Sequence, residues 1–115
     1  MPFIQVHTNT STPDTTAMVK GLIALSASAL EKSEALFAGT ITSQPLVFRG
    51  SDEPCAVVEF TTLAGVTPDQ NRTLVAGLCG TIAQEFGIEL SRTWVVILEV
   101  EKDHWASGGQ LISDR

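Results

Sequence analysis

The chain has 115 residues, of which 43% are apolar and 17% charged, with a formal net charge of −6; this bounds it to one domain, 1–115, with room for a real core. No apolar run approaches the roughly 18 residues of a membrane span, and no basic segment followed by an apolar stretch opens the chain as a signal peptide would. An acidic balance without a Lys/Arg cluster argues against nucleic acid or an anionic membrane as partner. A small molecule or another protein chain is left, in the cytoplasm or after secretion without a signal peptide.

The chain opens MPFIQVHTNT. Pro2 has no backbone N–H and a fixed φ, so it suits the head of a strand, and the alternation in IQVH predicts that strand over Phe3–Thr8. Were Met1 removed, the Pro2 nitrogen would be a free secondary amine and a candidate base. Thr-Pro-Asp at 12–14 predicts a helix start with Thr12 as N-cap, Pro13 at N1 and Asp14 near the positive helix end. Met18, Leu22, Leu25 and Ala29 follow at helical spacing. A strand is expected over Phe37–Thr42, then the connection SQPLVFRGSDEP, then a strand over Ala56–Thr61.

Thr-Pro-Asp recurs at 67–69, with Thr67 and Pro68 in the same roles. Leu74 or Val75, Leu78, Ile82 and Phe86 continue at helical spacing, and Gly87 is a natural stop. The run TWVVILEV (93–100) reads as a strand covered on both faces. MVKGLIA (18–24) lines up with LVAGLCG (74–80), so the chain consists of pseudo-repeats of about 2–48 and 55–105. Each is a right-handed β-α-β crossover unit. The expected fold is α+β: two such units form a four-stranded mixed sheet with two antiparallel helices on one face. The other face would be left bare, and WVVILEV is too apolar to stay wet, so another subunit is expected to cover it.

Cys55 and Cys79 lie far apart in apolar contexts without a CxxC pattern and read as buried free thiols. His7 and His104 have no Cys, His or carboxylate partner at metal-ligand spacing. No metal site is expected.

The chain resembles the tautomerase superfamily, in particular the macrophage migration inhibitory factor and D-dopachrome tautomerase group. The residues that carry the resemblance are MPFI, FRGSDEPCAVVEFTTLAG (48–65), DQNR (69–72) and GLCGTIAQEFGIELSR (77–92). The resemblance implies a homotrimer with active sites at the subunit interfaces and enol–keto tautomerisation of phenylpyruvate-like 2-keto acids. No cofactor is implied. It implies Pro2 as the catalytic base once Met1 is gone, Lys32 on the substrate carboxylate, and a backbone hydrogen-bonding position at Leu63. Phe3, Leu63 and Trp94 are the apolar neighbours expected around the Pro2 amine, where desolvation and a nearby cation would lower its pKa.

Two positions depart from the family pattern. Trp94 stands where many relatives have tyrosine, and Val96 where they have asparagine. Trp94 can wall a pocket and donate one N–H but cannot act as a phenol, and Val96 donates nothing. Cys55 is followed three positions later by Val58, which breaks the family's dithiol motif. The competing reading is a cytokine-like interaction trimer that binds a protein receptor and keeps only a vestigial pocket. Hydration or dehalogenation by the same proline is a third reading, for which the usual arginines and carboxylate cannot be placed.

Overall fold

The alternation of FIQVHT sends Ile4, Val6 and Thr8 to one side and Phe3, Gln5 and His7 to the other. In the computed structural model, which covers Met1–Arg115, this segment is strand β1 (Phe3–Thr8). It is followed by helix α1 (Thr15–Leu30), β2 (Ala38–Ser43), β3 (Ala56–Leu63), α2 (Pro68–Phe86) and β4 (Thr93–Val100). The sheet order is β2-β1-β3-β4. Strand β1 runs parallel to β2, β3 runs parallel to β4, and the two halves meet antiparallel at β1 and β3. Each half is thus a β-α-β unit. Because the halves are antiparallel, so are their helices.

The core lies between this sheet and the helices. Val6, Val58, Phe60, Leu74, Leu78 and Ile82 are fully enclosed, with Ile4 and Leu22 nearly so. Each such side chain contributes about 1.5–3 kcal/mol by leaving water. Of the two candidates on α2, Leu74 faces the core and Val75 is only half-buried. Both cysteines are free; Cys55 is buried and Cys79 half-buried, and burial pushes the Cys79 thiol pKa up.

The two Thr-Pro-Asp triplets do different work. At the second, Thr67 caps α2 with Pro68 at N1, and Gln70 closes a capping box by accepting from the Thr67 N–H at 3.0 Å. At the first, Thr12 and Pro13 stay outside the helix and Asp14 is the N-cap, accepting from the Ala17 N–H at 3.0 Å. The third residue after Thr12 is Thr15, whose short β-branched side chain cannot reach back as Gln70 does. Asp14, a strong cap in its own right, takes over.

The bare sheet face carries Trp94, Val96 and Leu98 of β4, which are 51%, 43% and 47% exposed. In one protomer β4 is therefore covered on the helix side only. Polar side chains on this face include His7 of β1, whose Nε2 lies 3.5 Å from Glu59 of β3. After β4 the chain forms a hairpin absent from the sequence expectations: β5 (Ala106–Ser107) pairs with β6 (Gln110–Leu111). Gly108 and Gly109 turn it with φ of +62° and +82°, the conformation a two-residue hairpin loop demands.

Candidate active site

The largely apolar pocket at the head of β1 has a volume of about 410 Å³. Met1, Pro2 and Phe3 form one wall, the stretch Ala35–Ala38 a second, and Trp105–Ser107 of the C-terminal hairpin a third. The Pro2 ring is fully buried on the helix side of the sheet. Its carbonyl accepts from the Ala38 N–H at 3.0 Å, which fastens the head of β1 to β2.

Lys32 is brought near by the way α1 ends. Glu31 takes a left-handed conformation at φ +55°, uncommon for a residue with a side chain. This lets the Glu31 N–H donate to Ser28 O and the Lys32 N–H to Ala27 O at 3.0 Å. The pair forms a Schellman turn that satisfies two of the last carbonyls of the helix. Lys32 does not line the pocket, but its charge is felt there. The Met1 α-amino group is held below its ordinary pKa, first by partial burial and second by the Lys32 ammonium.

The remaining expected site residues fall at two ends of the sheet. Phe3 pairs with Thr61, so Leu63, two residues further along β3, lies at the Pro2 end. Trp94 does not. It pairs with Val57, which lies opposite His7, four residues or roughly 13 Å along β1 from Phe3. Within one protomer Trp94 is thus no neighbour of Pro2, contrary to expectation. Its ring lies 4.5 Å from that of Phe48, tilted by 55°, and the Arg92 guanidinium lies 5.2 Å from the Phe48 centroid. Val96 is beside it on the bare face.

Sequence reasoning missed Trp105, Leu36 and Phe37 as pocket residues. A Gly-Gly pair after Trp-Ala-Ser was the available signal, since it marks a tight hairpin that folds Trp105 back.

A four-stranded sheet under two helices, with a proline-headed strand opening into an apolar pocket beside a lysine, defines a small single-domain class of protein. Residues 1–113 match the model of the Macrophage migration inhibitory factor (MIF) family, and the chain belongs to that family. It is 28% identical to a macrophage migration inhibitory factor homolog of Brugia malayi over 111 residues, covering 95% of this chain and 96% of the relative. It is 37% identical over 51 residues to a probable tautomerase K2 of Dickeya dadantii, covering 44% of this chain and 76% of the relative. The fold matches the crystal structure of a macrophage migration inhibitory factor homologue from Prochlorococcus marinus with a TM-score of 0.90. Identity there is 21%, over 96% of this chain and 98% of that one.

Proposed function

We propose that the protein is a cofactor-independent keto–enol tautomerase acting on phenylpyruvate-like 2-keto acids, with Pro2 as general base after removal of Met1. The observation that carries this reading is the depressed pKa of the terminal amine in an apolar pocket beside Lys32. Processing would make the Pro2 nitrogen the terminal amine, attached to a ring that is already buried. Desolvation and the Lys32 charge would then act on it directly and keep its neutral form populated.

The chemistry follows from that amine. Neutral Pro2 takes the proton from the carbon next to the carbonyl, and the electron pair moves to the carbonyl oxygen as the enol forms. The ammonium so created returns the proton to that oxygen, and the reverse path regenerates the keto acid. One group serves as base and acid, so no net proton leaves the site. Lys32 holds the carboxylate as a point charge, and Phe3, Phe37 and Trp105 flank the aromatic ring. The chain works as a homotrimer whose inward faces carry Trp94, Val96 and Leu98, and Trp94 of one copy walls the Pro2 pocket of the next.

A variant with one residue verifiably attached before Pro2 tests the base. General-base catalysis is worth roughly 10²- to 10⁴-fold, so kcat/KM for phenylpyruvate should fall at least about 10²-fold while the protein stays folded. Equal rates for the extended and processed chains would refute the free-amine mechanism. Sedimentation equilibrium should give three times 12.3 kDa; a monomer at micromolar concentration would remove the shared pocket.

A further inference from the structure

The end of the sheet remote from Pro2 is built with more care than an exposed strand end requires. Arg92 donates four hydrogen bonds to backbone carbonyls of the preceding connection: Nε to Pro54 at 3.0 Å, Nη1 to Phe48 at 3.2 Å, and Nη2 to Ser51 at 3.2 Å and Glu53 at 3.0 Å. That uses four of the five N–H groups a guanidinium has. No carboxylate pairs with it. The same group faces the Phe48 ring at 5.2 Å, and that ring in turn packs against Trp94 at 4.5 Å. Guanidinium, phenyl and indole are therefore linked through Phe48. Phe48 is 3% exposed and Trp94 about half exposed.

An exposed tryptophan on a strand has several staggered rotamers open to it. Here a buried ring, itself locked by a chelated arginine, backs one of them. We propose that Arg92, acting through Phe48, is a positioning residue that presets the Trp94 ring and thereby the substrate affinity of the pocket Trp94 walls. This rests on the reading of Trp94 as a wall of a neighbouring copy's pocket. Arg92 touches no substrate. Its contribution is to restrict the indole before substrate arrives, so that binding does not have to order it.

The test uses Arg92→Met, which keeps the stem but removes every donor, and Arg92→Lys. Phe48→Leu removes the backing ring and keeps apolar bulk. Trp94→Ala is the reference. Steady-state kinetics with phenylpyruvate are combined with fluorescence anisotropy of Trp94 in a Trp105→Phe background. An aromatic pair is worth about 2- to 10-fold in an equilibrium constant. Arg92→Met and Phe48→Leu should therefore raise KM about 2- to 10-fold with kcat within about twofold, and Trp94 should gain a fast anisotropy component. Arg92→Lys should fall between these and the parent, because an ammonium has three donors in no fixed fork. If Arg92→Met fails to fold, Phe48→Leu decides. A raised KM in Trp94→Ala alone, with Trp94 immobile in Phe48→Leu, would reduce Arg92 to a loop staple and overturn the proposal. An unchanged KM in Trp94→Ala would instead refute the wall assignment, and the affinity role of Arg92 with it.

Discussion

The two ends of the sheet are held by different physics. At the Trp94 end the connection between the two β-α-β units is pinned by side chains that reach its backbone. Asn9 donates to Asp52 O at 2.9 Å and Glu53 O at 3.0 Å and accepts from the Cys55 N–H at 2.9 Å. Arg92 holds three more carbonyls, of Phe48, Ser51 and Pro54, and shares that of Glu53 with Asn9. At the Pro2 end the walls are apolar side chains, and the Ala38 N–H ties the stretch Ala35–Ala38 to the head of β1 through the Pro2 carbonyl. Hydrogen bonds fix geometry at the first end, whereas apolar walls leave room for a guest at the second. The contrast suits an assembly in which a rigid end of one copy closes the yielding end of the next.

Changes at the Pro2 end should have the largest effects. Lys32→Ala should raise KM for a keto acid, costing about 1.5–3 kcal/mol as a hydrogen bond to a charged group does, and should barely affect the esterified substrate. Equal losses on acid and ester would make Lys32 structural. The same variant should shift the pH profile. With Pro2 as the proposed base, its protonated form cannot act, so activity should rise with pH through the amine pKa. Removing the Lys32 charge relieves one of the two influences that depress the terminal amine, so this limb should move to higher pH. In the chain that retains Met1, the folded-state pKa of the amine lies below its ordinary 8.0. The unfolded chain then binds more protons, and stability should rise with pH through the window just below 8.0. A urea series at several pH values reads this out.

At the Trp94 end the expected losses are of stability. Asn9→Ala leaves the buried-side Cys55 N–H and the Asp52 and Glu53 carbonyls without this partner, which costs about 1–3 kcal/mol and should appear as a lower urea midpoint. The smallest effect belongs to the turn that presents Lys32. A non-glycine residue in the left-handed region carries strain, so Glu31→Gly should add roughly 0.5–1 kcal/mol. Lost stability in that variant would mean that the Glu31 side chain does more than tolerate its conformation.

How much of this was readable in advance divides along similar lines. Strand β1, the capping of α2 and strand β4 were legible because alternation, a Thr-Pro-Asp helix start and a continuous apolar run are local signals. The start of α1 was misread because the same triplet can cap at either of two residues, and only the residue that follows decides which. The order β2-β1-β3-β4 puts Trp94 beside Val57 rather than near Pro2, and nothing local to Trp94 encodes that. Trp105 escaped notice because its place depends on a two-residue strand pair held by a glycine turn. Pro2 was legible as a candidate base from the opening residues alone, whereas Lys32 was named only from the family resemblance. The Lys32 charge helps to depress the Met1 terminal amine, which locates its influence at the head of β1.

The carbonyl of Pro2, bonded to the Ala38 amide at 3.0 Å, carries one more consequence. Proline never had an N–H to give the sheet, so excision of the residue before it breaks no rung of the ladder. The acyl side of Pro2 stays tied while its nitrogen changes from amide to amine. Under the proposed mechanism, maturation of the terminus would thereby be chemically drastic and architecturally silent. In hydrogen–deuterium exchange the Ala38 amide should be equally slow before and after methionine excision, even as the Pro2 nitrogen changes from amide to amine.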